Sequence, residues 1–208
     1  MKRPVLTVIG AVGAFFLVLV FMGLLTSGET RIHHTTVLNG TPERIWPLFA
    51  DLRGWPVWYE APGGMPRMTG SFLVEGSASG LNTVRHAEDS NGDWWKEKVT
   101  AFEPNKHLEL TGINTPGRYN WRQDITLTEV GQNQTRVDWT LEYNVRGPIN
   151  KLINKSRTEE IFSSYMEGGL KAIAPLIPSA EEWDGNPNAA TPPSPSAKAA
   201  DSTAAPPQ

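Results

Sequence analysis

The chain of 208 residues contains no cysteine, which excludes disulfides, thiolate metal sites, a cysteine nucleophile and a lipoprotein anchor. A cluster of lysine and arginine is also missing. With a formal net charge of -3 and no basic stripe, no nucleic-acid partner is expected. There is no phosphate-cradling glycine loop and no Gly-x-Ser-x-Gly nucleophile elbow. The histidines are poorly placed for a metal. His33 and His34 are strand neighbours whose side chains point to opposite faces, and His86 and His107 are scattered, so neither a metal nor a cofactor is expected.

What is present begins with an apolar run. Val5 to Leu25 is an uncharged stretch of 21 residues in which Thr7 is the clearly polar side chain. As a helix rising about 1.5 Å per residue it would span roughly 30 Å, the thickness of a bilayer core. Lys2 and Arg3 precede it and would hold the N-terminus in the cytoplasm. Residues 1–28 therefore read as a transmembrane signal anchor, because the apolar part of a cleaved secretory signal is usually only about 7 to 15 residues long; the small residues Thr26-Ser27-Gly28 keep a cleaved signal open as the alternative. That reading places a single-pass protein in the cell membrane with its domain extracytoplasmic, periplasmic in a Gram-negative host. Residues 179–208 read as a disordered tail, since from Pro187 onward no large apolar residue is available to offset the cost of ordering.

Residues 29–178 read as one α+β domain. Alternating runs predict strands near 31–38, 72–75, 79–87, 94–102, 107–113, 119–130 and 134–145, with two short helices after the first. Asp89-Ser90-Asn91-Gly92-Asp93, Asn114-Thr115-Pro116-Gly117 and Gly131-Gln132-Asn133 supply turn residues between hairpins, hence an antiparallel sheet of about seven strands. From Gly147-Pro148 to about Ile173, apolar residues at helical spacing predict one long helix across the concave face of that sheet. Thr41 and Pro42 suit a helix start, and Pro47 should kink or shorten that first helix.

Alternation also tells which side chains face the long helix. Val137, Trp139, Leu141 and Tyr143 share the inward parity, as do Tyr119, Trp121, Gln123, Ile125 and Leu127 on the preceding strand. Lys96 and Lys98 mark the solvent side of the strand from Trp94, leaving Trp95, Glu97, Val99 and Ala101 inside. Glu97 is thus a carboxylate among apolar neighbours and requires a partner. A two-residue Asn91-Gly92 turn would set His86 opposite it; a register shifted by one residue would set Arg85 there. Both registers stay open. The pair is either a structural ion pair at the cavity wall or a polar couple that orients a ligand or exchanges protons. Trp46, Trp55, Trp58, Trp95, Trp121 and Trp139 divide between core packing and ligand stacking, with at least half expected in the core.

Three segments carry a family resemblance. The stretch Thr41 to Trp58, the corner Val99-Thr100-Ala101-Phe102-Glu103-Pro104-Asn105-Lys106 and the helical Tyr165-Met166-Glu167-Gly168-Gly169-Leu170-Lys171 resemble the START/SRPBCC (Bet v 1-like) superfamily, in its polyketide cyclase/dehydrase-type branch. The resemblance implies a helix-grip fold, with a curved sheet wrapped on the C-terminal helix around a hydrophobic cavity. It further implies a hydrophobic small molecule or lipid as partner. Trp95, Glu97, Tyr119, Trp121, Gln123, Trp139 and Tyr165 are the candidate lining residues, and Glu97, His86 and Arg85 the candidate catalytic ones. None of the matching segments is a catalytic motif, so binding is expected ahead of catalysis. A cyclase- or dehydratase-like lyase is the rival reading, and a non-catalytic envelope scaffold the third.

Overall fold

The computed structural model describes residues 3–59, 65–76, 79–113, 120–153, 155–183 and 185, with side chains from Ala11 onward. Helix α1 (Arg3–Leu25) leads into β1 (Glu29–Asn39), α2 (Pro42–Ala50) and α3 (Trp55–Trp58). Strands β2 (Met68–Glu75), β3 (Val84–Asp89), β4 (Trp94–Glu103), β5 (His107–Ile113), β6 (Trp121–Gly131) and β7 (Gln134–Asn144) follow, and then α4 (Pro148–Ile153) and α5 (Lys155–Ile173). The strands make one antiparallel sheet in the order β1-β7-β6-β5-β4-β3-β2. Consecutive hairpins account for β2 to β7, while β1 closes the sheet from the far edge beside β7. Bulges in β2 and β4 and at the β6–β7 end bend it.

The concave face is filled from both sides of the chain. α5 lies against β1 and buries Met166, Gly169, Leu170 and Ile173. From the other side α2 and α3 deliver Phe49, Trp55 and Trp58, which meet Trp139 of β7 edge to face with centroids 5.9 to 6.3 Å apart. Trp55, Trp58 and Trp139 are wholly buried. Each such ring removes roughly 150 to 250 Å² from water, on the order of 4 to 6 kcal/mol at about 25 cal/mol per Å². The indole N–H groups also close the end of α2: Trp55 donates to Phe49 O at 3.0 Å and Trp58 to Leu48 O at 3.1 Å, satisfying carbonyls that a helix terminus leaves open.

Several local expectations need correction. Thr41 makes no side-chain cap; its carbonyl instead accepts from Arg44 and Ile45. α2 runs through Pro47 to Ala50; the bond Pro47 lacks would have gone to Glu43, which is exposed. The strand expected from 79 begins at Val84, because Asn82 has a positive φ of 66° and Thr83 N donates back to Gly80 O in a turn. The helix expected as one is described as two, α4 and α5. Ala101 is not on the inner face. The bulge after Val99 pairs Ala101 with Glu109 and turns Phe102 inward, opposite Leu108 and against Trp46.

Among the described residues no helix is long and apolar enough to cross a membrane. The side chains described in α1 begin at Ala11, so the apolar run expected to span a bilayer lies partly outside them. Most of those that are described stand out into the surroundings: Phe15, Phe16, Leu17, Phe21, Leu24 and Leu25 are all exposed.

Candidate functional site

The site begins with a turn. Asp89 accepts the backbone N–H groups of Asn91 and Asp93 on Oδ1, at 2.8 and 3.0 Å. Its own N–H donates to Asp93 O at 2.9 Å, and Gly92 supplies the left-handed residue with a φ of 80°. This is a three-residue loop, the type that ends in a left-handed glycine. It pairs Arg85 with Glu97 and His86 with Lys96. Of the two open registers the chain takes the one that buries Arg85. A two-residue turn would have set Arg85 against Lys98 and given up the Asp89 side-chain bonds. His86 consequently leaves the candidate site for the outer face, where it stacks on Trp94 at 5.2 Å and meets Glu88 at 3.1 Å.

Arg85 and Glu97 are both completely buried. Oε2 of Glu97 accepts a hydrogen bond from Nε of Arg85 at 2.6 Å, and Nη2 lies 2.5 Å from the same oxygen as an ion-pair contact without hydrogen-bond geometry. Oε1 takes Nε1 of Trp121 at 2.9 Å and Nε2 of Gln123 at 2.7 Å. The other end of Gln123 accepts from Nε1 of Trp139 at 3.2 Å. Since an indole only donates and a carboxylate only accepts, this fixes which way the Gln123 amide points. Arg85 also donates through Nη1 to Leu52 O at 3.3 Å, a carbonyl shared with Ser71 Oγ at 2.6 Å, and its guanidinium lies 4.0 Å from the Trp55 ring centroid. Charges taken out of water are tolerated only when paired and hydrogen-bonded in this way.

Gly112 makes the geometry possible. It pairs with Glu97, and a Cβ there would stand 2.7 Å from the Trp121 ring. The bare glycine lets the indole lie across β5 and reach the carboxylate.

Half-buried aromatic rings surround this polar centre. Trp95 and Trp121 are partly exposed on the inner face. Tyr165 of α5 stacks on Tyr59 with centroids 5.7 Å apart and planes 4° from parallel, and its hydroxyl donates to Pro66 O. Burial pushes the Tyr59 phenol well above its ordinary pKa, and the negative charge of Glu97 adds to this. Burial raises Tyr165 too, with Asp89 contributing. Both phenols are neutral donors at ordinary pH. The structure thus brings Trp95, Glu97, Trp121, Gln123, Trp139 and Tyr165 to one side of the sheet, with Trp139 in the core. Tyr119 lies outside the described residues. Sequence reasoning missed Tyr59, Ser71 and the Leu52 carbonyl; the run Trp55 to Tyr59 was the available signal. Of the six tryptophans weighed for stacking, Trp46, Trp55, Trp58 and Trp139 are buried and Trp95 and Trp121 half-buried.

The outer face carries a second polar region. A depression of about 260 Å³ there is lined by Arg31, Arg122, Asp124, Thr140 and Glu142. Opposite charges meet across it, and the whole sheet separates it from Glu97, so it does not suit an apolar ligand. Nearby, ligand-type atoms of His107, Glu109 and Asp124 lie within 4.8 Å of one another. Arg122 Nη2 sits 2.7 Å from Glu109 and 3.7 Å from Asp124, already supplying the positive charge. His107, expected to stand apart, bonds Asp124 at 2.9 Å.

Comparison with known proteins follows the fold. The family described as polyketide cyclase / dehydrase and lipid transport matches residues 29–177. No curated protein matches the chain. Among solved structures, the Zhui aromatase/cyclase from Streptomyces sp. R1128 is similar with a TM-score of 0.60 at 11% identity, over 72% of this chain and 93% of that one. A START superfamily protein from Mycobacterium smegmatis gives 0.57 at 12%, over 71% and 96%. Truncated norcoclaurine synthase from Thalictrum flavum gives 0.55 at 15%, over 73% and 95%. At such identities the likeness shows the fold alone.

Proposed function

Because the chain belongs to the polyketide cyclase/dehydrase and lipid transport family across residues 29–177, we propose that its domain binds a hydrophobic small molecule or lipid against the aromatic wall around Glu97. One observation carries this reading. On the inner face Tyr59, Trp95, Trp121 and Tyr165 are only half-buried, while the ion pair behind them is fully buried and held by protein donors. Partly open aromatic surface with a few fixed polar groups is the usual make-up of a site for an apolar ligand. Oε1 of Glu97 is already held by two donors, and Oε2 by Nε of Arg85 with the rest of the guanidinium in ion-pair contact, which favours binding over proton transfer, since a general base must be reachable by the proton it takes.

The enzyme reading, a cyclase- or dehydratase-like lyase, rests on the neutral phenols of Tyr59 and Tyr165 beside that wall. The scaffold reading rests on how completely Trp55, Trp58 and Trp139 fill the centre. Tethering to a membrane is part of the proposal. An apolar helix with Phe15, Phe16, Leu17 and Phe21 exposed is costly in water and favourable in a bilayer, and Lys2 and Arg3 would keep the N-terminus cytoplasmic. Titrating the full-length protein with a fluorescent fatty acid tests the ligand: saturable quenching of tryptophan, weakened roughly tenfold by Trp95→Ala, is expected. Absence of saturable binding would refute it.

A further inference from the structure

We infer that the surface around the end of α1 docks onto anionic phospholipid headgroups and holds the Trp95/Trp121 end of the sheet toward the bilayer. The inference rests on the reading of α1 as a membrane helix. Although no contiguous Lys/Arg cluster marks the sequence, Arg146, Lys151, Lys155 and Arg157 lie spaced between Glu142 and Glu159 with no acidic residue among them. The fold gathers this segment where α1 gives way to β1. Gly23 lies so close to the Pro148 backbone that there is no room for a Cβ. Val145 N donates to Gly28 O at 2.9 Å, and Lys155 Nζ to Ser27 O at 3.2 Å. Lys151 passes beside Gly28, with Cε 3.1 Å from the position a Cβ would take there.

These contacts make the junction a joint and not a loose leash. α4 packs against α1 and buries none of its residues. Its Ile153 is exposed, as are Leu24 and Leu25 at the end of α1. Apolar and basic side chains at one level, beside the end of an apolar helix, match the boundary between acyl chains and phosphates. An acidic protein would meet the charges but not the exposed leucines and isoleucine. α1 also brings the surface within reach of headgroups, so even weak contacts are made at high effective concentration.

Strand pairing gives the orientation. Thr30 pairs with Tyr143, Tyr143 with Trp121, Gly112 with Glu97 and Glu97 with Arg85. β1 starts, β7 ends, β6 starts and β4 starts at this same end of the sheet. The half-open aromatic wall therefore shares its end with the α1 joint.

The absence of cysteine allows a clean test. Full-length protein with a single environment-sensitive label at Ile153→Cys, or at Val12→Cys as control, is placed in nanodiscs of phosphatidylcholine with or without phosphatidylglycerol. Headgroup spin-labelled lipid serves as quencher. The Val12 label should be lipid-buried in both. Quenching at Ile153 should rise roughly threefold with phosphatidylglycerol and fall back in high salt, which needs no further substitution, and in Arg146→Glu/Arg157→Glu. A label at Ile153 equally water-exposed in both lipids, with Val12 buried, overturns the docking and leaves the anchor standing. A water-exposed Val12 label overturns both.

Discussion

One oxygen of Glu97 faces Arg85, accepting a hydrogen bond from Nε at 2.6 Å with Nη2 in ion-pair contact at 2.5 Å, and so leaves the other oxygen to the donors from β6. The pair is thereby the hinge between two opposed explanations, stability and ligand handling. Glu97→Gln would leave the Arg85 charge buried without its counter-ion, a loss of roughly 3 to 5 kcal/mol. Glu97→Leu with Arg85→Met should recover much of it, because a well-packed apolar pair removes the desolvation cost altogether. Chemical denaturation of the single and double variants measures both. A single variant with unchanged stability and a large fall in ligand affinity would assign the pair to the ligand instead.

Gly112 is the quieter partner of that network. Gly112→Ala should push the Trp121 indole off Glu97, since the added carbon would stand 2.7 Å from the ring, at a cost of roughly 1 to 3 kcal/mol. The Trp121 indole N–H resonance reports it directly. An unshifted resonance would mean that the indole is not held where the structure places it.

Asp89→Ala removes the two side-chain bonds that favour the three-residue loop. A loss of roughly 1 to 2 kcal/mol in unfolding free energy is expected, read from the fall in the denaturant midpoint. Arg85 should still face Glu97 in cross-strand NMR contacts, because the buried pair also fixes the register.

The phenols set an alkaline limit. Burial raises the Tyr59 and Tyr165 pKa values in the folded state, while an unfolded tyrosine titrates near about 10. Above that pH the unfolded chain releases protons that the native state keeps, so stability is fully present below about pH 10 and falls as pH rises further. Tyr59→Phe should flatten this decline. Absorbance of tyrosinate should appear together with unfolding; full ionisation of Tyr59 before unfolding would contradict the burial of its phenol group, whose ring is otherwise partly open.

Much of the fold was legible where alternation is clean. Val137, Trp139, Leu141 and Tyr143 are all buried as their parity requires, and Glu97 stood out because it breaks an apolar parity. The bulge after Val99 was not legible, since one inserted residue reverses parity without changing composition. Likewise the partner of Glu97 depended on whether Asp89 used its side chain, which the string Asp-Ser-Asn-Gly-Asp allows but does not dictate. Tyr59 escaped notice because its partner Tyr165 lies on α5, far along the chain. The cluster of His107, Glu109 and Asp124 arises from strand pairing and so has no spacing to betray it.

The central claim is that an apolar ligand lies against the wall formed by Tyr59, Trp95, Trp121 and Tyr165. A photoactivatable fatty acid offered to the full-length protein in membranes, followed by peptide mapping, tests it most directly. Saturable crosslinks to the peptides bearing Trp95, Trp121 and Tyr165, reduced by unlabelled fatty acid, are the expected result. Crosslinks confined to α1, or labelling that never saturates, would contradict it.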